Sequence, residues 1–316
     1  MMKIKLLLIV IFCSCFSSIF AQNEIDKSHQ RIPELFGHKF LTTSQLKSPF
    51  ISTNLLTDIG VGSTSLIKIP GITLEDGREL FSFQGKIIYA DFNLQYQQQF
   101  TNWLSLFVSI KMAGRIGSDL STIVADGVNT VSGGDIGWLI KIKETEKFYL
   151  SGSIKANNLI GSFIDVTEYI EDIIDGDPYL RLSKKIPATS LGIGLRGAYA
   201  LNPSYGLQFN AEAIHGESLQ RGATDTYYSL GILGDVDLNE QHDTPIALAI
   251  GYSITSTPEV SMNNRGFSSQ YIGKIGYSGS DDYELGLQYT FYKVNLKSVE
   301  STTAISKIML GLKFYF

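Results

Sequence analysis

From Ile308 to Phe316 the chain alternates without a break. Ile308, Leu310, Leu312, Phe314 and Phe316 fall on one side, and Met309, Gly311, Lys313 and Tyr315 on the other. Successive strand side chains point to opposite faces, so this segment reads as a strand with one wholly apolar face and one largely polar or small face. A strand that separates lipid from an aqueous lumen has this pattern. A soluble sandwich has little reason to place its most apolar strand edge at a chain terminus.

The same period of two recurs along the sequence. Ile88, Ala90, Phe92, Leu94 and Tyr96 oppose Asp91, Asn93, Gln95 and Gln97. Leu104 to Met112 alternate with Ser105, Phe107, Ser109 and Lys111; Ile136, Trp138, Ile140 and Ile142 oppose Asp135, Gly137, Lys141 and Lys143. Further runs follow near 148–155, 191–196, 205–212, 228–237, 246–254, 271–277 and 283–291, and an earlier one near 50–69. With the terminal strand the expectation is about twelve. Links near 100–102, 144–146, 201–204, 238–244 and 279–282 are short, and those between them are generally longer. Even strand number, with short turns at one end and long loops at the other, is the organisation of a single-chain outer-membrane barrel. The fold class expected is therefore an all-β, antiparallel transmembrane β-barrel.

Two of the longer links carry helical signals. Asp165 and Glu168 are spaced as a capping box ahead of Tyr169, Ile170, Ile173 and Ile174, and Gly176 with Asp177-Pro178 ends that pattern. A second short helix is expected over 118–126. Both would lie in outer loops.

At the amino end, Lys3 and Lys5 precede an apolar stretch from Leu6 to Phe12, then small and polar residues up to Ala21. A run of this length and composition is too short and too polar to span a bilayer and reads as a secretory signal cut after Ala21. Lipid modification at Cys15 is the rival reading, although Phe12 and Cys13 fit that signal poorly. Cleavage would remove both cysteines, Cys13 and Cys15, and with them any thiol chemistry. Losing Lys3 and Lys5 takes the net charge from −5 to −7, so no polybasic footprint for nucleic acid remains.

Motifs for chemistry are weak. Gly192, Gly194 and Gly197 have dinucleotide-loop spacing but lie inside an alternating strand, where small interior residues explain them. His215, Glu217 and Asp225 are the cluster to mutate for an outer-membrane hydrolase, yet His215 and Ser218 would face opposite ways on a continuing strand. The four histidines show no metal-ligand spacing, and no cofactor is implied.

The face opposite the apolar one is the richer signal. Its charged positions are Asp91, Lys111, Asp135, Lys141, Lys143, Lys155, Arg196, Glu212, Asp235, Asp237, Lys274, Glu284, Lys307 and Lys313. Two readings stand side by side. These charges form cross-strand ion pairs that fill the interior, or they line a conduit for small solutes. Residues 22–49, polar and ahead of the first strand, are either a tail in the periplasm or a hatch entering the lumen.

On the signal cut at Ala21-Gln22, the strand series and the terminal Ile308/Leu310/Leu312/Phe314/Phe316 pattern, the chain resembles Gram-negative outer-membrane β-barrel proteins. That resemblance implies an outer-membrane location in contact with its lipid. It also implies that the barrel-assembly machinery reads the terminal aromatic strand. The division expected is a signal over 1–21, an amino-terminal segment over 22–49 and a barrel over 50–316. The helical loops and amino-terminal segment are similar to those of the fatty-acid and aromatic-hydrocarbon uptake channels. Twelve strands are fewer than in the fatty-acid channels, and 22–49 holds no Asn-Pro-Ala hatch motif. What the resemblance implies is passive or gated passage of small solutes, apolar ones included, with a closed adhesion or assembly scaffold as the alternative.

Overall fold

The computed structural model describes residues 32–69, 83–116, 127–164, 183–217, 224–239, 243–257, 266–296 and 301–316. The strands are β1 (Glu34–Leu35), β2 (His38–Lys39), β3 (Asn54–Thr64), β4 (Ile67–Ile69), β5 (Phe83–Gly85), β6 (Ile88–Thr101), β7 (Leu104–Ile116) and β8 (Gly127–Glu144). They continue with β9 (Phe148–Ile164), β10 (Ser183–Asn202), β11 (Tyr205–Glu217), β12 (Thr224–Asp237), β13 (Ile246–Thr257), β14 (Gly266–Tyr277), β15 (Tyr283–Leu296) and β16 (Ser301–Tyr315).

Twelve of these, β3 and β6 to β16, form one closed antiparallel barrel in which each strand pairs with its neighbours in sequence. The ring closes where β16 pairs with β3, with Leu310 opposite Ile59 and Tyr315 opposite Asn54. Closure matters because a bilayer offers no water to an unpaired strand edge. The strand expected over 50–69 is β3 followed by β4, which pairs with β5 as a small separate ribbon. The two expected helical stretches, the signal segment and Cys15 lie outside the described residues.

Exposure is inverted relative to a soluble protein. Ile250 is 78% exposed and Leu191 68%, whereas Lys313 and Asp235 are each 3% exposed. Aromatic side chains bound the apolar belt. Near the short turns Tyr277 stacks on Tyr283, at 5.7 Å between ring centroids, and Tyr283 meets Phe314 at 6.3 Å. On the same wall, Tyr271 lies between Tyr252 at 5.2 Å and Phe291 at 6.4 Å. From Tyr277 to Tyr271 the strand climbs about 20 Å at its normal rise. At the usual strand tilt of ~40° this is about 15 Å of height, so the two aromatic rows lie on either side of the middle of the roughly 25 Å apolar band of membrane barrels. Strands β8, β9 and β10, of 18, 17 and 20 residues, exceed the ~9–11 needed to cross and extend the wall beyond the bilayer.

The belt makes a checkable demand. Ile250→Arg places a charge between the girdles and should cost about 2–4 kcal/mol in lipid, measured by reversible denaturant unfolding in vesicles. On a water-facing surface the same change would fall within about 0.5 kcal/mol.

Candidate functional site: a lumen occupied by the chain's own amino-terminal segment

Residues 32–53 run inside the barrel and make a loop that enters and leaves at the end of the short turns. It begins as the two-stranded ribbon of β1 and β2, whose turn residues Phe36 and Gly37 both have positive φ, +50° and +80°. That is the backbone of a type I′ hairpin, for which glycine at the second position is suited. The turn sits on Lys147, whose Nζ lies 4.0 Å from the Phe36 ring centroid. Lys39 pairs with Asp281 at 2.8 Å, and Ile32 N donates to Asp281 O at 2.9 Å. Lys147 lies in the β8–β9 turn and Asp281 in the β14–β15 turn, which places the hairpin at this end of the barrel.

His38 is fully buried just above. Its Nε2 is 2.6 Å from Asp235 Oδ1 and its Nδ1 is 3.0 Å from Pro203 O. Both neighbours carry acceptor oxygens, a carboxylate on one side of the ring and a backbone carbonyl on the other. Asp235 Oδ2 accepts from Leu41 N and from Gln208 Nε2, at 3.2 and 3.1 Å. The wall makes room for this approach. A Cβ on Gly206 would lie 2.3 Å from His38 Nε2, and one on Gly276 would lie 2.7 Å from Leu41 Cδ2.

Higher up, wall side chains hold the segment by its backbone. Glu284 accepts from Thr42 N at 3.0 and 3.1 Å; Lys274 donates to Thr42 O and to Glu284; Lys313 donates to Thr42 Oγ1 at 3.1 Å. Gln288 accepts from Ser44 N at 3.1 Å, and Gln45 reaches Tyr292 OH at 2.8 Å. Lys47 Nζ donates to Gln95 Oε1 at 2.8 Å, and Arg196 Nη1 to Ser48 O at 3.4 Å. On the way down Gln97 donates to Phe50 O at 2.9 Å. Two apolar patches complete the seat. Leu35, Phe40 and Phe50 pack with Tyr149, Ala198 and Ala200, and Leu41 and Leu46 with Leu233, Ala247, Ala249 and Ile272.

The charged residues expected on the interior therefore sort into three groups. Asp235, Lys274, Glu284, Lys313 and Arg196 grip the segment. Lys111 pairs with Asp135 and Lys155 with Glu212, both at 2.7 Å, and Lys307 with Asp91 at 3.0 Å, across the wall. Asp237, expected with them, is buried and accepts from Ser278 Oγ at 2.8 Å. Lys141 and Lys143 stand apart from the lumen set. Lys141 pairs with Glu144 at 2.7 Å near the short turn. A register shift between Lys141 and Lys143 sets Lys143 opposite Leu150 and leaves it exposed, so simple alternation fails there. His38, Lys47 and Asp58 are additions. Asp58 continues the alternation of β3 and accepts from Asn93 at 2.9 Å. His38 and Lys47 lie in a segment with no periodicity to reveal them.

Toward the outer end, two recesses flank Ser44 and Gln45. One of about 160 Å³ is lined by Lys47, Lys111, Lys155, Arg196 and Glu212 among others; the second, about 300 Å³, includes Asp91, Ala113, Val131, Leu159 and Met309. The concavity of about 770 Å³ bordered by Val108, Ile136, Leu191, His215 and Glu217 lies along strands β7 to β12, mostly on outward-facing positions. There His215 Nδ1 meets Thr226 Oγ1 at 2.9 Å, and Glu217 accepts from Thr189 N and Oγ1 at 3.1 and 3.0 Å. His215 thus meets a threonine hydroxyl, not Glu217 or a serine, among the described residues; Ser218 lies outside them.

A closed barrel, apolar outside and charged inside, with part of its lumen filled by its own chain, defines a plugged transmembrane β-barrel of the outer-membrane type. No protein-family model and no curated protein sequence matches the chain. By fold it is similar to an outer-membrane channel from Pseudomonas putida F1, at 13% identity and a TM-score of 0.50, covering 93% of this chain and 100% of that one. It is also similar to the NanC porin (10% identity, TM-score 0.47, 82% of this chain and 100% of that one). A FadL homologue from Pseudomonas aeruginosa matches at 12% identity and a TM-score of 0.45, over 84% of this chain and 90% of that one.

The plug's anchorage can be read with a thiol, since no cysteine follows residue 21. In the Ser44→Cys protein, adding His38→Ala strips a buried partner from Asp235, a loss worth about 3–5 kcal/mol. Maleimide labelling of residue 44 should then accelerate by about tenfold or more, with the barrel's heat-dependent gel migration unchanged.

Proposed function

We propose that this protein is an outer-membrane channel for small solutes, gated by residues 32–53. The observation that carries the reading is how the plug is held. Among the described residues no backbone–backbone hydrogen bond joins 33–52 to a barrel strand; the wall reaches this stretch with side chains. The plug can therefore leave its seat without breaking one rung of the ladder that seals the barrel. A filler needed only for stability gains nothing from such separability. The neighbour that matches over 93% of this chain is an outer-membrane channel, and the proposal gives this chain the same role. It includes export through a signal cleaved near Ala21 and recognition of Ile308, Leu310, Leu312, Phe314 and Phe316 by the assembly machinery.

Lys47 gives the gate a pH dependence. Burial, with Lys111 and Arg196 nearby, brings its ammonium down from 10.5 to about 7, against the opposing pull of Asp135 and Asp58. The docked plug then binds fewer protons than the released one between those two values. Docking strengthens as pH rises through that window and is weakest below about 7.

Two bilayer measurements check the proposal. In planar membranes the full chain should open rarely, and the Lys274→Met, Glu284→Gln double variant, which removes this ion pair as a unit and loosens the grip on Thr42, should open often. A barrel that carries no current even in that variant would overturn the channel reading. Opening of the wild type should be more frequent at pH 6 than at pH 9, and Lys47→Met should flatten that difference.

A further inference from the structure

Among the described residues, the 160 Å³ recess beside the plug tip is lined by more cations than are matched by ion-paired carboxylates. Four cations line it: Lys47 from the plug and Lys111, Lys155 and Arg196 from the wall. Two are neutralised, Lys111 by Asp135 and Lys155 by Glu212. The other two have no carboxylate within ion-pair distance among the described residues. Lys47 has only the amide oxygen of Gln95, and Arg196 has a 3.4 Å bond to Ser48 O and the face of Phe107, 5.3 Å from its ring centroid. Arg196 is 6% exposed, and a guanidinium carries five N–H donors. Buried charge without a partner is costly, and proteins normally retain it where a counter-ion arrives.

A second observation points the same way. Ser153 and Asn210 also border this recess, and Ser153 Oγ and Asn210 Oδ1 are enclosed with no hydrogen-bond partner among the described residues. The amide of Asn210, whose nitrogen and oxygen are assigned from hydrogen bonding alone, can present its NH₂ there. Eleven buried side-chain polar atoms lack a hydrogen-bond partner among the described residues, and two of them belong to side chains that border this recess.

We propose that this recess binds the carboxylate of a small organic monoanion, held between Lys47 of the plug and Arg196 of the wall. The planar fork of arginine suits the two oxygens of a carboxylate. The volume is close to the ~150 Å³ that accommodates benzene in an engineered protein cavity, so the anion is small. The larger recess shares Ser44, Gln45 and Lys111 with this one, and Ala113, Val131, Leu159 and Met309 give it room for a short apolar body. The site names a solute class for the proposed channel and in that sense rests on the channel reading, but binding itself needs no current.

Charge also fixes how binding depends on pH. Lys47 faces Lys111, Arg196, Asp135 and Asp58 and is held near 7. The anion prefers its ammonium form, so affinity falls as pH rises above about 7, by up to about tenfold per unit.

The test is calorimetric titration of the full-length protein in detergent with sodium benzoate at pH 6.5. Binding should be saturable, and Lys47→Gln should weaken it by about tenfold or more. Arg196→Lys, which keeps the charge and loses the fork, should weaken benzoate while leaving folding, read by heat-dependent gel migration, unchanged. Equal displacement of benzoate by chloride, or tighter binding of inorganic phosphate, would overturn the carboxylate assignment and mark an adventitious ion only. Unchanged affinity in Lys47→Gln would overturn the site. Benzoate binding without conductance in the loosened variant would sink the channel reading and leave the site standing.

Discussion

Everything in this molecule depends on the pairing of β16 with β3. Without that seam the sheet has two unpaired edges, and a bilayer cannot hydrate either of them. With it, each strand acquires an inside and an outside, and the period of two in the sequence becomes a division between solvents. Ile250, Leu191 and Leu310 face outward because the outside is hydrocarbon. Lys274, Lys307 and Lys313 are buried for the complementary reason, since the same rotation that exposes leucine to lipid turns lysine inward.

A charged interior then needs partners, and the barrel supplies them in two ways. Where acid and base fall on nearby strands they satisfy each other, as Lys111 does with Asp135. Near the short turns, the partners come from peptide groups of the amino-terminal segment. Thr42 meets Glu284 through its N–H, Lys274 through its carbonyl and Lys313 through its hydroxyl. The plug thus acts as a polar ligand of its own barrel, seated by apolar side chains at Phe40, Phe50, Leu41 and Leu46.

Much of this was legible in the sequence because a barrel obeys a strict local rule. Strand number, the end carrying the short turns and the inward set from Asp91 to Lys313 follow from alternation. The rule failed where the backbone departed from it: the bulge ahead of Lys143 turned that residue outward while Lys141 stayed at the rim. Pairings inside the lumen were not legible. Lys307 meets Asp91 only because β16 lies beside β3 and β3 beside β6, a consequence of closure. The plug was the largest gap. Residues 32–53 bury His38 and Leu46 in contacts with no repeat along the chain, since each is set by a different strand across the lumen.

The bond between Thr42 and Lys313 joins positions 271 residues apart, more than the whole span of the barrel strands. Contacts so distant in sequence are the last to become favourable, because the chain entropy between their ends must be lost before they form. The seat of the plug is assembled from β6 and from β9 to β16, so it does not exist until the final strand is in place. Sequence separation of this size therefore favours closing the barrel before seating the plug, which would leave the lumen open until the segment docks.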